Sequence, residues 1–323
     1  MEFIHSVLAQ NETVAVGTTI TYDLPVNPLS FIICTLKFSQ DSANTQVAFG
    51  SILAMISKIE VLYKGSAIYS SNGIDLMGID GVLLGFEPWT QNASGDDNDV
   101  RAISFIVPMG RKLYDPRECF PRSTRGELAL QITYAAAFTD IDLVTAQFET
   151  VELPDATPER YLRVTTMSVT PTAAGEMDVE LPIGHTLAAV LFWGTTKPLA
   201  DAAVRTLQYS QLLIDNQRRY FSMTNYESWR QLAAIRQRPL TSQSYHIHQI
   251  DGAAFAQYMD TAAVKYANDM CAPHLLWDFD PLRDDQYLLD TRGSSDVVAR
   301  IYAGDTNALR VLPCELIGSS EGI

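Results

Sequence analysis

The stretch Tyr22-Asp23-Leu24-Pro25 has a counterpart later in the chain, Val179-Glu180-Leu181-Pro182. Each ends an alternating run with an acidic residue and Leu-Pro, and a polar turn and a long apolar strand pattern follow, at 31–38 and 187–193. The prolines at positions 25 and 182 are 157 residues apart. Because this offset is about half of the 323 residues, the repetition predicts two halves of similar design.

A second pair of segments follows in the same order. Glu60-Val-Leu-Tyr-Lys-Gly65 and Leu212-Leu-Ile-Asp-Asn-Gln217 each read as a strand that ends in a turn, and matching Leu62 to Ile214 gives an offset of 152. A looser third pair, 128–132 and 297–301, lies at an offset of 169. Strands of sandwiches also resemble one another by composition alone, but the shared order favours a duplication.

Helix-start signals follow both predicted turns at the same distance, at Asn72 and Thr224. Thr224 and Glu227 form a capping box, with threonine at the N-cap, that opens a predicted helix over 226–238 before Pro239. The Ala-rich segment Gly252–Asp269 is a candidate second helix, and Asn44–Ile56 and Gly73–Leu84 are weaker candidates.

Short strand patterns rich in β-branched and aromatic residues occupy most of the remaining chain, including the alternating runs 127–134 and 163–170. This density predicts an all-β fold of two tandem eight-stranded jelly rolls, which are β-sandwiches, with a few short helices in the connecting loops. Two prolines and three acids interrupt the pattern at 151–159, so we place the domains at residues 1–153 and 154–323.

The composition excludes several classes of protein. Lys and Arg total 23 against 38 Asp and Glu, so the net charge of −15 gives no overall attraction for nucleic acid or an anionic membrane. With 47% apolar residues the chain is too hydrophobic to be disordered. Its apolar runs are shorter than the ~20 residues of a spanning helix, and Met1–Val16 lacks the cationic start of a signal peptide.

The cysteines do not show the close spacing of metal ligands. We expect reduced, mostly buried thiols in a protein that is made in a reducing compartment. They are Cys34, Cys119, Cys271 and Cys314.

His246 and His248 share one face of a strand pattern, a spacing that some metal sites use. The nearest further candidate ligands are His274, Asp251 and Asp260, but the spacing fixes no third ligand. Two surface or interface histidines are the favoured interpretation.

The densest acidic stretch runs from Asp278 to Asp290 and includes Asp280, Asp284 and Asp285. Paired carboxylates serve glycosidases, and closely spaced oxygens serve calcium loops. The stretch lacks the glycine and terminal glutamate of a calcium-binding EF-hand, so it predicts a solvated acidic loop, with divalent-ion binding as a minor alternative.

One cationic neighbourhood lies beside aromatic residues, a combination that also occurs in proteins that bind single-stranded nucleic acid. Its arginines are Arg218, Arg219, Arg230, Arg236 and Arg238, and its aromatic residues are Tyr220, Phe221, Tyr226 and Trp229. The acidic balance of the whole chain favours a different interpretation, in which the aromatic residues form a core face and the arginines a helix end or a subunit interface. We find no motif of a catalytic nucleophile, phosphate loop or zinc site, and we assign no catalytic, cofactor-binding or metal-binding residue.

Two tandem β-sandwich patterns with acidic-Leu-Pro strand ends resemble the double jelly-roll major capsid proteins of tailless icosahedral viruses, such as adenovirus hexon and the coat proteins of membrane-containing bacteriophages. The segments that carry the resemblance are Ser57–Gly65, Ser70–Leu76 and Gly175–Pro182. It covers nearly the whole chain at the level of architecture.

The resemblance implies a non-enzymatic structural protein without cofactors, a viral major capsid protein made in the host cytoplasm and located in the virion. It implies homotrimeric capsomers of pseudo-hexameric outline that contact neighbouring capsomers, minor capsid or vertex proteins and, as a further expectation, an underlying viral membrane. It implies no sequence-specific binding of nucleic acid. The long loops at 85–99 and 237–251 are expected at an outer face or a trimer contact.

Two alternatives remain open from the residues. In the first alternative, the chain is a glycan-binding or glycan-processing protein that uses Asp278, Asp280 or nearby acids. In the second, it is a phage spike or receptor-binding protein.

Overall fold

The computed structural model describes residues 2–40, 49–86, 88–91, 100–139, 141–196, 205–236 and 274–319. Within these ranges strands dominate, and no helix is long and apolar enough to cross a membrane. The predicted all-β class is confirmed.

The first half folds into two facing antiparallel sheets, ordered β1-β9-β3-β7-β6 and β2-β8-β4-β5. The strands are β1 (Ile4–Thr13), β2 (Thr19–Asp23), β3 (Leu29–Gln40), β4 (Ile56–Tyr63), β5 (Ser66–Ser71), β6 (Trp89–Gln91), β7 (Val100–Pro108), β8 (Leu128–Tyr134) and β9 (Ile141–Glu152).

The second half repeats this arrangement, with sheets ordered β16-β13-β19-β10 and β12-β18-β14-β15. Its strands are β10 (Arg160–Val164), β11 (Met167–Val169), β12 (Gly175–Glu180), β13 (Thr186–Gly194), β14 (Leu207–Ile214), β15 (Gln217–Asn225), β16 (His274–Asp278), β17 (Leu289–Asp290), β18 (Val297–Ala303) and β19 (Leu309–Gly318). The short strands β11 and β17 pair with β19 and β13. The predicted strand over 163–170 is therefore two strands, interrupted at residues 165–166.

The two halves share one strand order once the short strands β6, β11 and β17 are set aside. In each half the first, eighth, third and sixth strands form one sheet, and the second, seventh, fourth and fifth form the other. Each third strand carries a one-residue bulge, at Ser30 in β3 and at Ala188 in β13. The three matched pairs of segments in the sequence therefore fall on equivalent strands.

The turns between the fourth and fifth strands are also equivalent. Lys64 and Gly65 form a two-residue turn with φ of 48° and 81°, and Asp215 and Asn216 form another with φ of 50° and 60°. Two left-handed residues give the tight hairpin turn that suits the twist of the strands. The structural match is Tyr63 to Ile214, so the predicted pairing of Leu62 with Ile214 is wrong by one residue.

A single parallel bridge joins the halves into one ten-stranded sheet, because Val164 of β10 pairs with Tyr69 of β5. One apolar cluster crosses the same joint and combines Ile59 and Tyr69 of the first half with Leu162 and Leu312 of the second. A second cluster fills the sandwich of the second half around Trp229 and Trp277. The domain boundary at 153/154 stays a prediction.

Strands β13 and β19 contribute to both clusters, since Val190 and Phe192 face the second-half core while Ala189 and Leu191 face the shared core. A sheet that is covered on both faces needs apolar residues at successive positions. This double burial explains why 187–193 is among the longest apolar runs of the sequence.

Short helices connect the strands: α1 (Phe49–Ala54), α2 (Gly73–Gly78), a π-helical turn π1 (Ile79–Leu84) and α3 (Tyr226–Arg236). Asn72 caps α2 by accepting a hydrogen bond from the Asp75 amide, 2.9 Å. At the start of α3, Asn225 accepts from the Ser228 amide at 3.0 Å, so the cap is Asn225 and the predicted N-cap at Thr224 is wrong by one residue. The candidate helix 252–269 and the whole loop 237–251 lie outside the described residues.

Candidate functional site

A network of buried and half-buried ion pairs lies at the junction between the halves. The segment α2–π1 of the first half packs on the second-half strands β13 and β16. Gly78 approaches His274 so closely that a Cβ built there would lie 2.4 Å from the imidazole. Only glycine allows this approach.

Arg111, in the loop after β7, is the centre of the junction and is 4% exposed. Its Nε donates to Glu118 Oε1 at 2.8 Å and its Nη2 to Glu118 Oε2 at 2.6 Å, which is a two-pronged pair. Its Nη1 donates across the junction to Asp280 Oδ2, and Asp280 is 1% exposed. A buried ionic cluster therefore joins residues that are 169 positions apart.

Three further residues extend this cluster toward the surface. Asp285 accepts from Arg111 Nη2 at 2.8 Å and from Arg160 Nη2, and Arg160 Nε donates to Glu118 Oε2 at 3.1 Å. Arg283 donates to the backbone carbonyl of Arg111 at 3.2 Å and to that of Leu83. We call Arg111, Glu118, Arg160, Asp280, Arg283 and Asp285 the junction cluster.

Arg111 and Glu118 each favour the ionised form of the other. Burial alone raises the pKa of Glu118, but its hydrogen bonds and attraction to Arg111 hold that pKa below the usual value. Burial alone lowers the pKa of Arg111, yet Glu118, Asp285 and Asp280 raise it above the usual value. Because buried charges are costly without partners, the loss of one member leaves the others uncompensated.

A second ion pair crosses the junction beside the first. Arg310 of β19 donates from Nε to Asp75 Oδ2 at 2.8 Å and from Nη2 to Asp75 Oδ1 at 2.8 Å, and its guanidinium lies 3.5 Å from the ring centre of Trp193. Asp75 Oδ1 is also 4.0 Å from His274 Nε2. Burial raises the pKa of Asp75 in spite of Arg310.

Asp80 of π1 is a fully buried acid with a different environment. Its Oδ2 accepts from the Ile106 amide at 2.9 Å, whereas its Oδ1 has no hydrogen-bond partner among the described residues. Burial raises its pKa well above the usual value. Burial therefore favours the neutral form of Asp80, whose carboxyl group accepts from the Ile106 amide of β7.

The structure corrects the prediction for the acidic stretch. It is not a solvated loop throughout, because Asp280 is buried on Arg111 and Asp285 is paired with two arginines. Asp278 Oδ1 accepts from the Asp280 amide, 2.9 Å, and Asp290 pairs with Arg292 at the surface. Across the described ranges no group of three His, Cys, Asp or Glu side chains is arranged to hold a metal ion.

Of the candidate metal ligands considered from the sequence, His246, His248, Asp251 and Asp260 lie outside the described residues, and His274 is fully buried. Cys34, Cys119 and Cys314 are free and buried, as expected, while Cys271 lies outside the described part. Burial raises the pKa of Cys119 and Cys314 to about 12.

The arginines of the cationic neighbourhood lie on two different elements, and one of them lies outside the described residues. Arg218 and Arg219 are exposed on β15, Arg230 and Arg236 lie in α3, and Arg238 is outside the described residues. Trp229 is core, as predicted: its Nε1 donates to Ser210 Oγ at 3.0 Å and its ring packs on Phe221. Tyr220 is exposed.

A surface pocket of about 200 Å³ opens beside the junction cluster, next to His185, Leu288 and Arg292. Of the described residues that line it, Glu159 is the one carboxylate. Glycoside hydrolysis uses two carboxylates on opposite sides of a bond. This pocket does not offer that pair.

No sequence pattern singles out Arg111 or Glu118. Each is one charged residue in a loop, and the partners of Arg111 in the second half, Asp280 and Asp285, lie 169 and 174 positions away. An isolated arginine in the run Pro108-Met-Gly-Arg111 is a weak signal of a buried ion pair.

Neither the protein-family models nor the curated proteins compared with the chain match its sequence. Solved structures match it over nearly its full length. The crystal structure of the STIV MCP superposes with a TM-score of 0.66 at 14% identity, covering 98% of this chain and 97% of the other. The major capsid protein P2 from bacteriophage PM2 matches with a TM-score of 0.61 at 12% identity, covering 98% of each chain. The fold is a double jelly roll.

A third structure, the quasi-atomic PBCV-1 virus capsid, matches with a TM-score of 0.62 at 8% identity and covers 98% of this chain and 93% of the other. At such identities the likeness concerns the fold. The predicted double jelly roll is confirmed, and the junction cluster lies between its two rolls.

Proposed function

We propose that this double jelly-roll chain is a structural major capsid protein that forms the shell of an icosahedral virus. The observation that carries the proposal is the match of both rolls, in order and over 98% of the chain, to the major capsid protein P2 from bacteriophage PM2. The two packed cores of the described part suit a protein whose role is to present a fixed surface.

The proposed unit is a homotrimer of pseudo-hexameric outline. Two rolls of one strand order in each chain supply six similar rolls from three chains, which approximates sixfold packing. Such packing requires the two rolls of one chain to keep a fixed angle. The junction cluster, the pair Asp75–Arg310 and the shared sheet supply that rigidity.

The remaining roles are part of the same proposal. The protein is non-enzymatic, is located in the virion after synthesis in the host cytoplasm, and contacts neighbouring capsomers and minor capsid or vertex proteins. The net charge of −15 suits a shell that does not hold nucleic acid by attraction, and an underlying viral membrane is the proposed inner neighbour.

The test is the mass and shape of the purified protein. Light scattering is expected to give three times the chain mass of 35.8 kDa, and electron microscopy is expected to show particles with a pseudo-hexagonal outline. A monomer that binds or hydrolyses glycans, with the activity lost in Asp278→Asn, contradicts the proposal. A copy number in purified virions that suits only the vertices points to a spike instead.

A further inference from the structure

The pocket beside the junction cluster is built by three strands and the segment around β17. Arg160 lies in β10, Thr186 in β13 and Leu316 in β19, while Leu288 and Arg292 lie on either side of β17. The volume of the pocket is about 200 Å³, and a cavity of ~150 Å³ is large enough to hold benzene. The pocket therefore has room for a ligand with one small ring and a polar substituent.

Hydrogen bonds fix the walls of this pocket. Thr186 and Leu316 are cross-strand partners in the ladder between β13 and β19. Thr291, next to Arg292, donates to the backbone carbonyl of His185 from its amide at 3.2 Å and from its hydroxyl at 2.6 Å. Because the walls are already ordered, a ligand that enters the pocket loses little of its binding free energy to the ordering of the protein.

Two leucines form an apolar wall. Leu316 is 4% exposed and belongs to the core that the two rolls share, and Leu288 is half-buried and packs against that core. Apolar area that leaves water on this wall favours binding. The wall therefore favours a ligand with an apolar body over a bare ion.

Carboxylates hold the guanidinium group of Arg160 in place. Its Nε donates to Glu118 Oε2 at 3.1 Å and its Nη2 donates to Asp285 Oδ2. Its Nη1 makes no hydrogen bond to another described residue, and the side chain is 28% exposed. Since the other two nitrogens are bound, Nη1 is a donor in a fixed position, and little side-chain freedom is lost when it binds a ligand.

A second arginine and a hydroxyl group line the same pocket. Arg292 pairs with Asp290 through Nε and Nη2, both at 2.9 Å, and its side chain is 58% exposed. The hydroxyl of Thr186 makes no hydrogen bond to another described residue. Guanidinium groups form strong charge-assisted hydrogen bonds with carboxylates, and the hydroxyl adds a neutral donor.

The charge of the lining matches a ligand with a single negative charge. Among the described residues that line the pocket, the Arg and Lys side chains are Arg160 and Arg292, and the one carboxylate is Glu159. Asp285 and Asp290, which pair with the two arginines, do not line it. The excess of one positive charge suits a carboxylate better than a doubly charged phosphate, in a chain whose net charge is −15.

We propose that this pocket binds a small organic monocarboxylate. The carboxylate accepts hydrogen bonds from Arg160, Arg292 and Thr186, and a ring-sized apolar body packs on Leu288 and Leu316. The bound acid connects β10 with the loop 279–296, which supplies three members of the junction cluster, so binding stabilises the joint between the rolls. This inference concerns a ligand of the single chain and does not depend on the capsid proposal.

Benzoate is the probe that tests the proposal, in a ligand-observed NMR titration of the full chain. We expect saturable binding with a Kd on the order of 1 mM, which is within the range for a ligand of about nine non-hydrogen atoms. The midpoint of thermal unfolding is expected to rise with the benzoate concentration. An absence of saturable binding overturns the proposal.

Two further compounds separate the contributions of charge and shape. Benzamide has the shape of benzoate without its charge and is expected to bind about tenfold more weakly, because its bonds with the arginines are not charge-assisted. Inorganic phosphate has charge without an apolar body and is also expected to bind more weakly. Equal binding of benzamide, or equal binding of phosphate, contradicts a site for an apolar carboxylate.

The first variant removes one of the donors. Arg292→Ala is expected to weaken benzoate binding about tenfold and to keep the fold, because its pair with Asp290 is exposed. The matched control is Arg300→Ala, which removes another exposed arginine, paired with Asp178 through two bonds of 2.7 Å and absent from the pocket lining. Unchanged binding in Arg292→Ala, or an equal loss in both variants, contradicts the proposal.

The second variant changes binding in the opposite direction. Glu159 is exposed, and its carboxylate repels an anion in the pocket. Glu159→Gln keeps the shape and is expected to strengthen benzoate binding roughly two- to fivefold while the binding of benzamide stays the same. A purely structural effect changes the binding of both compounds alike, and that result counts against the assigned chemistry.

These measurements and the test of the proposed function have separate outcomes. A trimer that does not bind benzoate overturns the ligand site and leaves the capsid proposal standing. A monomer that binds benzoate supports the ligand site and overturns the trimer.

Discussion

At the scale of single residues, Arg111 has the largest predicted effect on stability. Arg111→Ala leaves Glu118 and Asp280 buried without their cation, and breaking a buried pair in this way costs roughly 3–5 kcal/mol. We expect the free energy of unfolding, measured by urea denaturation, to fall by that amount.

Arg292→Ala is the control for this loss. Its pair with Asp290 is exposed on both sides, and exposed pairs contribute below about 1 kcal/mol. Equal losses in the two variants would show that the junction cluster contributes no more than a surface ion pair.

Asp80 gives a prediction with a definite pH dependence. Because burial raises its folded-state pKa, the stability that its neutral form supplies is complete below the unfolded pKa of about 3.9 and is lost as the pH rises. Asp80→Asn keeps the shape and removes the ionisation. The variant is expected to match the parent near pH 3.5 and to become progressively more stable than the parent above pH 4, by up to ~1.4 kcal/mol per pH unit.

Asp178→Asn is the control of opposite sign, since the hydrogen bond from Arg300 lowers the pKa of Asp178. The stability that this carboxylate supplies is present above its unfolded pKa, so the variant loses stability relative to the parent as the pH rises through that range. A difference between Asp80→Asn and the parent that does not change with pH would contradict a neutral Asp80.

At the scale of elements, each of the two equivalent hairpin turns indicates which residue types the other turn can accept. Gly65 has φ of 81° and its Cβ position is open, so a substitution there meets backbone strain and no clash. Gly65→Ala is expected to cost ~1–2 kcal/mol, the penalty for a left-handed residue. Gly65→Asn installs the residue type that Asn216 provides in the second roll and is expected to cost less than half as much, because asparagine tolerates this conformation. Urea denaturation of both variants measures the difference, and equal losses would contradict the equivalence of the turns.

Patterns within single elements predicted most strands correctly, because alternation depends on neighbours a few positions apart. The run 163–170 was an exception: its alternation continues through residues 165–166, whereas β10 ends at Val164 and β11 begins at Met167. The predicted N-cap at Thr224 was wrong because Asn225, one position later, is also a residue type that caps helices. The local sequence does not show which of the two residues caps the helix.

At the scale of the whole molecule, the shared sheet and the junction cluster predict that both rolls unfold together. The joint buries Tyr69 and Leu312 in one core, so the unfolding of one roll exposes the apolar face of the other. Differential scanning calorimetry of the full chain is expected to show one transition with equal calorimetric and van't Hoff enthalpies. Two resolved transitions would show that the rolls are independent.

The sequence by itself determined the class and the duplication. Strand alternation, the repeated acidic-Leu-Pro ends and the paired turns are local patterns, and their order along the chain predicted two rolls. The tertiary structure decided what joins them. The bridge from Tyr69 to Val164 and the contact of Arg111 with Asp280 connect residues 95 and 169 positions apart, and no local pattern encodes a partner at such a distance. Burial then decides which charges of the acidic stretch stay in water and which are held in the junction.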